Sequence, residues 1–319
     1  MPTHPKVVVV GSFVQDLTWK CREFPRPGET TVGTFKTGPG GKGSNQAVAC
    51  CRAGVDTLFV GAVGCDAFAA QAKVFYRAEK LGCHLAAKPA HATGTAAILV
   101  SASGQNEIIV ALGANDYLKK ADVPSTAIKR ARVVVSQLES NLDTAAHVLK
   151  TARGAGVTTV LNPAPMRADF PVTLLAHTDI LIPNETEFTA LVNQLPQTSL
   201  TDFTEEKLKT ISEENLHALC RKIGVPTVIV TLGARGCFIS NSNNGLFIPA
   251  YTGIEVVDTT GAGDAFVGGF AAGMVKFTGD IAAAARFGNA VAALSVTKFG
   301  TAPAMPRARE ITRFLKSRV

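Results

Sequence analysis

Regularly spaced metal-binding and disulfide patterns are missing from this sequence. Its seven cysteines are odd in number, and no two of them have C-x-x-C spacing. The six histidines show no spacing typical of metal ligands. The pattern argues against a disulfide framework or a zinc site and favours a reducing compartment.

Long apolar runs and blocks of basic residues are also absent. The first apolar run, Lys6 to Gly11, is too short for a signal sequence, and Arg286 interrupts the longest candidate for a membrane span. The formal net charge is +7, but the basic residues are scattered, and aromatic residues, 7% of the chain, do not alternate with them. We therefore expect a soluble cytoplasmic protein that binds neither membranes nor nucleic acid, although a polyanionic small molecule would suit its charge.

Two common nucleotide-binding loops are missing as well. After Gly261 and Gly263, the third glycine position of a G-x-G-x-x-G loop is occupied by Phe266. A Walker A loop requires Ser or Thr directly after Gly41-Lys42, where this sequence has Gly43. The sequence therefore argues against a nicotinamide-dependent enzyme and a P-loop enzyme.

The segment from Asp258 to Asp264 lies between a strand-like run, Ile254 to Val257, and a long helical run rich in Ala and Gly. Its glycines permit a tight turn whose amides are not covered by Cβ atoms. Free amides at a helix start bind anions, and Asp264 would lie beside them in the first helical turn. Phosphoryl transfer needs this pairing, because amides hold the phosphoryl charge while a carboxylate takes the hydroxyl proton. Asp264 could also be an ordinary helix-start residue, so the segment alone leaves both interpretations open.

Strand and helix patterns alternate along the rest of the chain. Strands are predicted at 6–11, 57–63, 132–138, 157–161, 179–182 and 227–231, with a hairpin at 237–249. Helices are predicted at 44–52, 66–81, 142–155, 185–192, 205–223, 262–277, 281–296 and 307–316. This order predicts an α/β fold with a doubly wound, mostly parallel sheet flanked by helices and ligands at the carboxyl ends of its strands. The alternating segments at 30–37 and 94–112 do not fit and could form a small β-sheet lid.

Polar residues and glycines follow several of the predicted strands. Asp16 follows the first strand, Glu139 ends strand 132–138, and Asn184–Glu187 begins a helix. Gly40–Asn45 combines bare backbone, an ammonium and an amide, while Thr231–Gly236 is a glycine turn that could accommodate a nucleotide. Each also has a plain structural interpretation, as a solvated loop residue, a helix-dipole partner or an ordinary turn.

Together and in this order, the segments resemble the ribokinase branch of the PfkB carbohydrate kinase family. The resemblance extends from about residue 7 to residue 314. Two of its motifs are specific: G-G-K-G-x-N-Q-A at 40–47 and D-T-T-G-A-G-D-A-F at 258–266. Gln137–Glu139, Asn162–Pro165 and Pro183–Glu187 match as well.

The resemblance implies a role for each matching residue. Asp264 would be the catalytic base on the sugar's 5-hydroxyl, and the amides of Gly261, Ala262 and Gly263 would form the anion hole. The residues implied to hold the sugar are Asp16, Gly40, Gly41, Lys42, Asn45 and Glu139. The residues implied to bind the Mg²⁺–nucleotide are Asn184, Glu187, Thr231, Gly233, Arg235, Gly236 and Asn289. The ligands implied for an activating monovalent cation, K⁺, are Asp258, Thr260, Ser295, Lys298, Gly300 and Ala304, mostly through backbone carbonyls.

The resemblance also implies an activity and an assembly. The expected reaction is ATP-dependent phosphorylation of D-ribose at O5, with 2-deoxyribose, another pentose or a nucleoside as alternative substrates. A non-catalytic sugar- or nucleotide-sensing module is a hypothesis of a different class, against which the intact Asp264 and anion hole argue. One domain is expected over residues 1–319, with lid segments at about 12–38 and 92–112 that would pair two subunits as a homodimer.

Two positions depart from the family pattern. Val14 stands where many members have the first Asn of Asn-x-Asp, and Asn289 stands where His is frequent near the adenine. The first departure removes one hydrogen-bonding partner of a sugar hydroxyl. The second changes the expected contact with the base.

The Val14 departure predicts relaxed sugar selectivity. A site whose polar groups fully hydrogen-bond a substrate hydroxyl rejects the analogue without that hydroxyl by roughly 10⁴-fold, because those groups are then left unpaired. A site with one such group fewer has less to lose when the hydroxyl is missing. We expect ribose to be preferred, 2-deoxyribose to be a measurable substrate, and Val14→Asn to widen the gap. The measurement is kcat/KM for both sugars in both proteins. An unchanged ratio in the variant would show that position 14 does not tune the pocket.

Overall fold

Residues 5–318 are described by a computed structural model and form two β-sheets of unequal size. The ends of the expected domain, residues 1–4 and 319, lie outside the described residues. The larger sheet has nine strands in the order β13-β12-β11-β10-β9-β8-β1-β4-β5. Its strands are β1 Val7–Val10, β4 Thr57–Val63, β5 Gly82–Ala87, β8 Val133–Ser136, β9 Thr158–Leu161, β10 Ile180–Leu181, β11 Thr227–Thr231, β12 Gly236–Ser240 and β13 Gly245–Pro249.

The middle of the larger sheet is parallel and fully buried. Strand β1 consists of four valines and pairs in parallel with β4 on one side and β8 on the other. Because helices cover both faces of such a sheet, its strands are apolar throughout instead of alternating. Antiparallel pairing in this sheet is confined to β12, which pairs with β11 on one side and with the edge strand β13 on the other. The predicted doubly wound, mostly parallel architecture is therefore confirmed.

Ten α-helices are found in the described part of the chain, and they flank the larger sheet. They are α1 Lys42–Arg52, α2 Ala67–Glu79, α3 Ser125–Arg130, α4 Leu142–Gly154, α5 Glu185–Gln194, α6 Glu205–Thr210, α7 Glu213–Lys222, α8 Ala262–Lys276, α9 Ile281–Ser295 and α10 Ala308–Lys316. Among residues 5–318, no helix combines the length and the apolarity that a membrane crossing requires.

The smaller sheet accounts for the segments that did not fit the alternating pattern. It has the order β3-β2-β6-β7, with β2 Val14–Lys20, β3 Thr34–Gly40, β6 Gly94–Val100 and β7 Asn106–Ala111. Strand β2 pairs antiparallel with β3 and parallel with β6. Asp16, which the sequence suggested to lie in a loop, therefore belongs to a strand of this sheet.

Two other local predictions were wrong, and two elements were missed. The strand-like run at 254–257 is irregular, since the amides of Val257 and Asp258 both donate to the carbonyl of Val296 at the end of α9 instead of to a strand. The helix predicted over 205–223 is two helices, because the Ser212 hydroxyl accepts from the Asn215 amide and caps the start of α7. Strand β5 and helix α3 were not predicted at all.

Helices α1 and α8 pack closely against each other near the carboxyl ends of the parallel strands. A Cβ atom on Gly268 would lie 2.3 Å from the carbonyl oxygen of Gln46, so only glycine permits this approach. A Cβ atom on Gly43 would meet the backbone of Gly11 at 2.8 Å, which brings α1 against the end of β1 in the same way. The first turns of α1 and α8 are therefore held side by side at the carboxyl ends of the parallel strands.

Candidate active site

The start of α8 has the geometry that the glycine-rich segment suggested. Gly261 is the N-cap residue with φ of 79°, a left-handed conformation that favours glycine. A Cβ atom on Gly263 would have nothing within 4 Å, so the space over this turn is open. Ala262, Gly263 and Asp264 occupy the first helical turn, where backbone amides lack intrahelical partners. The Ala262 amide donates to the Thr259 carbonyl at 3.1 Å, whereas the turn leaves the amides of Gly261 and Gly263 available. This turn can accept an anion.

Asp264 is buried and held at both carboxylate oxygens. Asn45 Nδ2 donates to Asp264 Oδ2 at 2.9 Å, and Gln46 Nε2 donates to Asp264 Oδ1 at 2.9 Å. Both donors lie on α1, so the carboxylate of one helix is oriented by the first turns of another. The carboxylate thus has a fixed orientation beside the open amides.

Glu139 and Lys42 lie beside this carboxylate. Glu139 Oε2 accepts from the Ser12 hydroxyl at 2.5 Å and from the backbone amide of Lys42 at 2.9 Å. Burial lowers the pKa of the Lys42 ammonium, but attraction to Asp264, Glu139 and Glu187 outweighs burial and raises it. Lys42 therefore remains charged among these carboxylates.

Asp16 reaches the same site from the smaller sheet. Its carboxylate lies over Gly40, where a Cβ atom would approach it to 2.3 Å, and accepts from the Thr301 hydroxyl at 3.1 Å. Burial raises the pKa of Asp16 to about 7; the hydrogen bond from Thr301 opposes the rise, and repulsion by Glu139 and Asp264 adds to it. Asp16 is therefore poised to accept hydrogen bonds or a proton near neutral pH.

Asn184 and Glu187 close the other side of the site at the start of α5. They form a reciprocal cap in which Asn184 Oδ1 accepts from the Glu187 amide at 2.8 Å and Glu187 Oε2 accepts from the Asn184 amide at 2.9 Å. Burial raises the pKa of Glu187 to about 7, against the lowering effects of the Asn184 hydrogen bond and of Lys42. A nearby cation would return this carboxyl to its charged form.

The residues predicted for the nucleotide form a second group next to Asn184. The hydroxyl of Thr231 lies 3.4 Å from the carbonyl of Pro183, and Arg235 pairs with Glu185 at 3.3 Å. Asn289 donates its Nδ2 to the carbonyl of Pro249 at 3.1 Å, which leaves its Oδ1 for other contacts. Gly233 and Gly236 have φ of 54° and 109°, so the turn between β11 and β12 depends on glycine.

The loops predicted to hold a monovalent cation are tied together. Asp258 Oδ1 accepts from the amide and hydroxyl of Thr260, while Asp258 Oδ2 accepts from the amide of Gly300 at 2.9 Å. Lys298 pairs with Glu310 and the Ser295 hydroxyl donates to Ala292, so their side chains are already bonded elsewhere. Arg52 donates to the carbonyls of Pro303 and Met305, on either side of Ala304. The backbone carbonyls of Lys298 and Ala304 therefore remain for an ion, whereas the Ser295 carbonyl also accepts from the Lys298 amide at 3.2 Å.

Several residues of the site were given no role on sequence grounds. Gln46 and Asn162 connect Asp264 to Glu187, and Gln137 donates to Gln46. Ser12 donates to Glu139, and Thr301 donates to Asp16. Gln46, Gln137 and Asn162 lay inside the matching motifs, which was the available signal. Thr301 had no such signal, because its contact with Asp16 joins residues 285 positions apart.

The fold and the arrangement of this site define the chain as a carbohydrate kinase of the doubly wound α/β class. The sequence pattern of the pfkB family carbohydrate kinases matches residues 4–308. A ribokinase of Staphylococcus aureus is 36% identical over 313 residues, covering 97% of this chain and 99% of the relative, and a deoxyribokinase of Salmonella typhi is 32% identical with 97% and 98% covered. A solved structure of Arabidopsis thaliana ribokinase, complexed with ribose and ATP, superposes with a TM-score of 0.84 at 32% identity, covering 98% of this chain and 99% of that one. The chain belongs to the pfkB family of carbohydrate kinases.

The raised pKa of Asp16 predicts an unusual dependence of stability on pH. Because the folded protein retains this proton up to about pH 7 and the unfolded chain loses it near the ordinary aspartate pKa of 3.8, rising pH across this window destabilises the fold. One such group contributes up to about 1.4 kcal/mol per pH unit. We expect Asp16→Asn to flatten the decline of the free energy of unfolding between these pH values, measured by urea denaturation without ligands.

The matched control for this experiment is Asp169→Asn. Asp169 pairs with Arg167 on the surface, and this pairing lowers its pKa, so its titration lies below the window. The control should therefore keep the wild-type slope. An Asp16→Asn slope equal to that of wild type would contradict the raised pKa.

Proposed function

We propose that this protein transfers the γ-phosphoryl group of ATP to the 5-hydroxyl of D-ribose, with Asp264 as the general base. The observation that carries the proposal is the position of Asp264, whose buried carboxylate is held at both oxygens beside the open amides of the first turn of α8. The relatives described above support the substrates. Since one of them is a deoxyribokinase, 2-deoxyribose is the alternative substrate.

The proposed reaction is an in-line displacement at phosphorus. Asp264 takes the proton from the sugar's O5, the O5–P bond forms, and the bond between the γ-phosphorus and the β–γ bridging oxygen breaks to release ADP. The amides of Gly261, Ala262 and Gly263 hold the charge of the transferring group, and the Lys42 ammonium adds a positive charge nearby. Asp16, Gly40, Gly41, Asn45 and Glu139 hold the sugar hydroxyls.

Asn45 has an additional group suited to the sugar. Its Nδ2 is used by Asp264, whereas its Oδ1 is buried and has no hydrogen-bond partner among the described residues. A buried unpaired acceptor is costly, and a hydroxyl donated by a substrate would remove this cost. This supports a hydroxyl-bearing substrate over an apolar one.

The nucleotide and its metal are proposed to occupy the side of the site formed by α5 and β11. Thr231, Gly233, Arg235 and Gly236 would line the ATP pocket, with Asn289 near the adenine. Asn184 and Glu187 would hold Mg²⁺ largely through water. The raised pKa of Glu187 is consistent with a carboxyl whose ionised form a bound cation would stabilise. When bound, Mg²⁺ neutralises charge on the β- and γ-phosphates.

We also propose a monovalent cation site and a dimer. K⁺ would lie between the loops at 258–260 and 295–304, bound by Asp258, Thr260, Ser295, Lys298, Gly300 and Ala304, mostly through carbonyls. The smaller sheet, with segments at about 12–38 and 92–112, would act as the lid over the sugar and pair two subunits. Exposed apolar side chains on this sheet, Phe35, Ile108 and Ile109, support a buried partner surface.

Asp264→Asn tests the assignment of the base. The amide keeps the size of the carboxylate but cannot take the hydroxyl proton. General-base catalysis contributes typically about 10²–10⁴-fold, so we expect kcat to fall by at least that factor while ATP still binds. Sugar-dependent ADP release and ATP binding by calorimetry are the measurements. Turnover close to that of wild type would remove Asp264 as the base, and absence of sugar-dependent ADP release in wild type would favour the sensing module.

Replacement of K⁺ tests the cation site. The ion would stiffen the loop that leads directly into the anion hole, so exchange for a large organic cation at constant ionic strength should lower kcat. Thermal unfolding in the two buffers gives an independent measurement, because an ion bound only to the folded state raises Tm. Equal rates and equal Tm values in both buffers would speak against the site.

A further inference from the structure

Three buried amides form a hydrogen-bond network in which Gln46 and Asn162 connect Asp264 to Glu187 and Gln137 bonds to Gln46 from the side. Gln137 Nε2 donates to Gln46 Oε1 at 2.6 Å, and Gln46 Nε2 donates both to Asp264 Oδ1 at 2.9 Å and to Asn162 Oδ1 at 3.0 Å. Asn162 Nδ2 then donates to the carbonyl of Ile182 at 2.8 Å and lies 3.4 Å from Glu187 Oε2. Gln46 and Gln137 are fully buried, so water does not compete with these contacts.

The chemistry of the network permits only one orientation of each amide. An ionised carboxylate accepts hydrogen bonds and cannot donate them, so Asp264 requires the Nε2 side of Gln46. With Gln46 oriented in this way, its Oε1 faces Gln137 and requires a donor from that residue. Asn162 is fixed likewise, because its Oδ1 faces Gln46 and its Nδ2 faces two acceptors.

The unpaired atom of Gln137 supports this interpretation. Gln137 Oε1 is buried and has no hydrogen-bond partner within residues 5–318. If the Gln137 amide were rotated by half a turn, its Oε1 would face Gln46 Oε1. Contact between two acceptors costs more free energy than one unpaired acceptor. A Cβ atom at Gly11 would lie 1.9 Å from Gln137 Oε1, so glycine at this position leaves the amide the room it occupies.

We propose that Gln46, held in one orientation by Gln137, is a positioning residue that presents the Asp264 carboxylate to the reacting hydroxyl and links it through Asn162 to Glu187. The proposal rests on the proposed function, since it assumes that Asp264 is the base. Gln46 holds the oxygen of Asp264 that Asn45 does not. Loss of the Gln137 donor leaves Gln46 Oε1 buried without a partner, so the amide that holds Asp264 Oδ1 is less firmly fixed and the base moves out of line.

The test uses a substitution whose hydrogen-bonding role changes with pH. In Gln137→Glu the introduced carboxyl donates to Gln46 Oε1 when protonated and repels it when ionised. Burial raises the pKa of such a carboxyl toward neutrality. We expect the ratio of variant to wild-type kcat/KM for ribose to fall by about 10²-fold as pH rises from about 5.5 to about 8.5, because a misplaced catalytic group costs about this factor.

Neutral and remote variants separate this effect from structural damage. Gln137→Met removes the donor without adding a charge, so it should lower kcat by a factor that does not depend on pH. Gln194→Glu makes the same amide-to-carboxyl change on an exposed residue at the end of α5 and should keep the wild-type profile. All variants keep the charged groups around Asp264, which are Asp16, Lys42, Glu139 and Glu187. The titration of these groups therefore contributes equally to the variant and wild-type profiles and drops out of their ratio.

A second variant keeps the proposal testable if position 137 tolerates no change. Gln46→Glu places a carboxylate against Asp264 and should move the acid limb of the kcat/KM profile upward by about one pH unit or more, with the KM for ATP unchanged. Profiles parallel to wild type in both Gln137→Glu and Gln46→Glu would overturn the proposal. If Asp264→Asn retained wild-type turnover, the proposed function itself would fail; if it lost activity while those profiles stayed parallel, only the role of Gln46 would fail.

Discussion

The two hydrogen bonds onto the Asp264 carboxylate are the contacts on which the rest of the site depends. They join residues 218 and 219 positions apart and link the first turns of α1 and α8. The close approach at Gly268 makes this link possible, because any larger residue would push α8 away from the carbonyl of Gln46. Asp264, the first-turn amides of α8 and Lys42 on α1 are therefore held in fixed positions relative to one another. A small shift between these two helices would disturb all of them together.

Burial of charge is the second constraint. Asp264, Glu139 and Glu187 attract the buried Lys42 ammonium, and Asp16 is buried close enough to Glu139 and Asp264 to be repelled by them. Burial disfavours the ionised form of a carboxyl, and it raises the pKa of Asp16 and of Glu187 to about 7. Because carboxyl groups outnumber positive charges here, the site favours ligands that carry a cation or whose hydroxyls donate hydrogen bonds. The proposed Mg²⁺–ATP and sugar have these properties.

Much of the fold was predictable because its main sheet is parallel and buried. Strand β4 and the start of α8 coincide with their predictions, since a short apolar run and a glycine-to-helix transition are strong local signals. Predictions failed where the partner of a segment is distant. The run at 254–257 has strand-like residues but bonds to the end of α9, and the alternation of β2 is too short to be recognised without its neighbours β3 and β6.

The sequence by itself determined the order of most strands and helices, the glycine turn before Asp264 and the motifs that identify the family. These features are local, because they depend on side-chain period, on glycine and on residues close in the chain. Only the tertiary structure decided that Asp16 enters the site from the smaller sheet and is bonded by Thr301, and that Gln46 and Gln137 orient the carboxylate. Amide orientation and a carboxyl pKa depend on which groups face each other across distant elements. No short stretch of residues therefore predicts the orientation of an amide or the pKa of a carboxyl group.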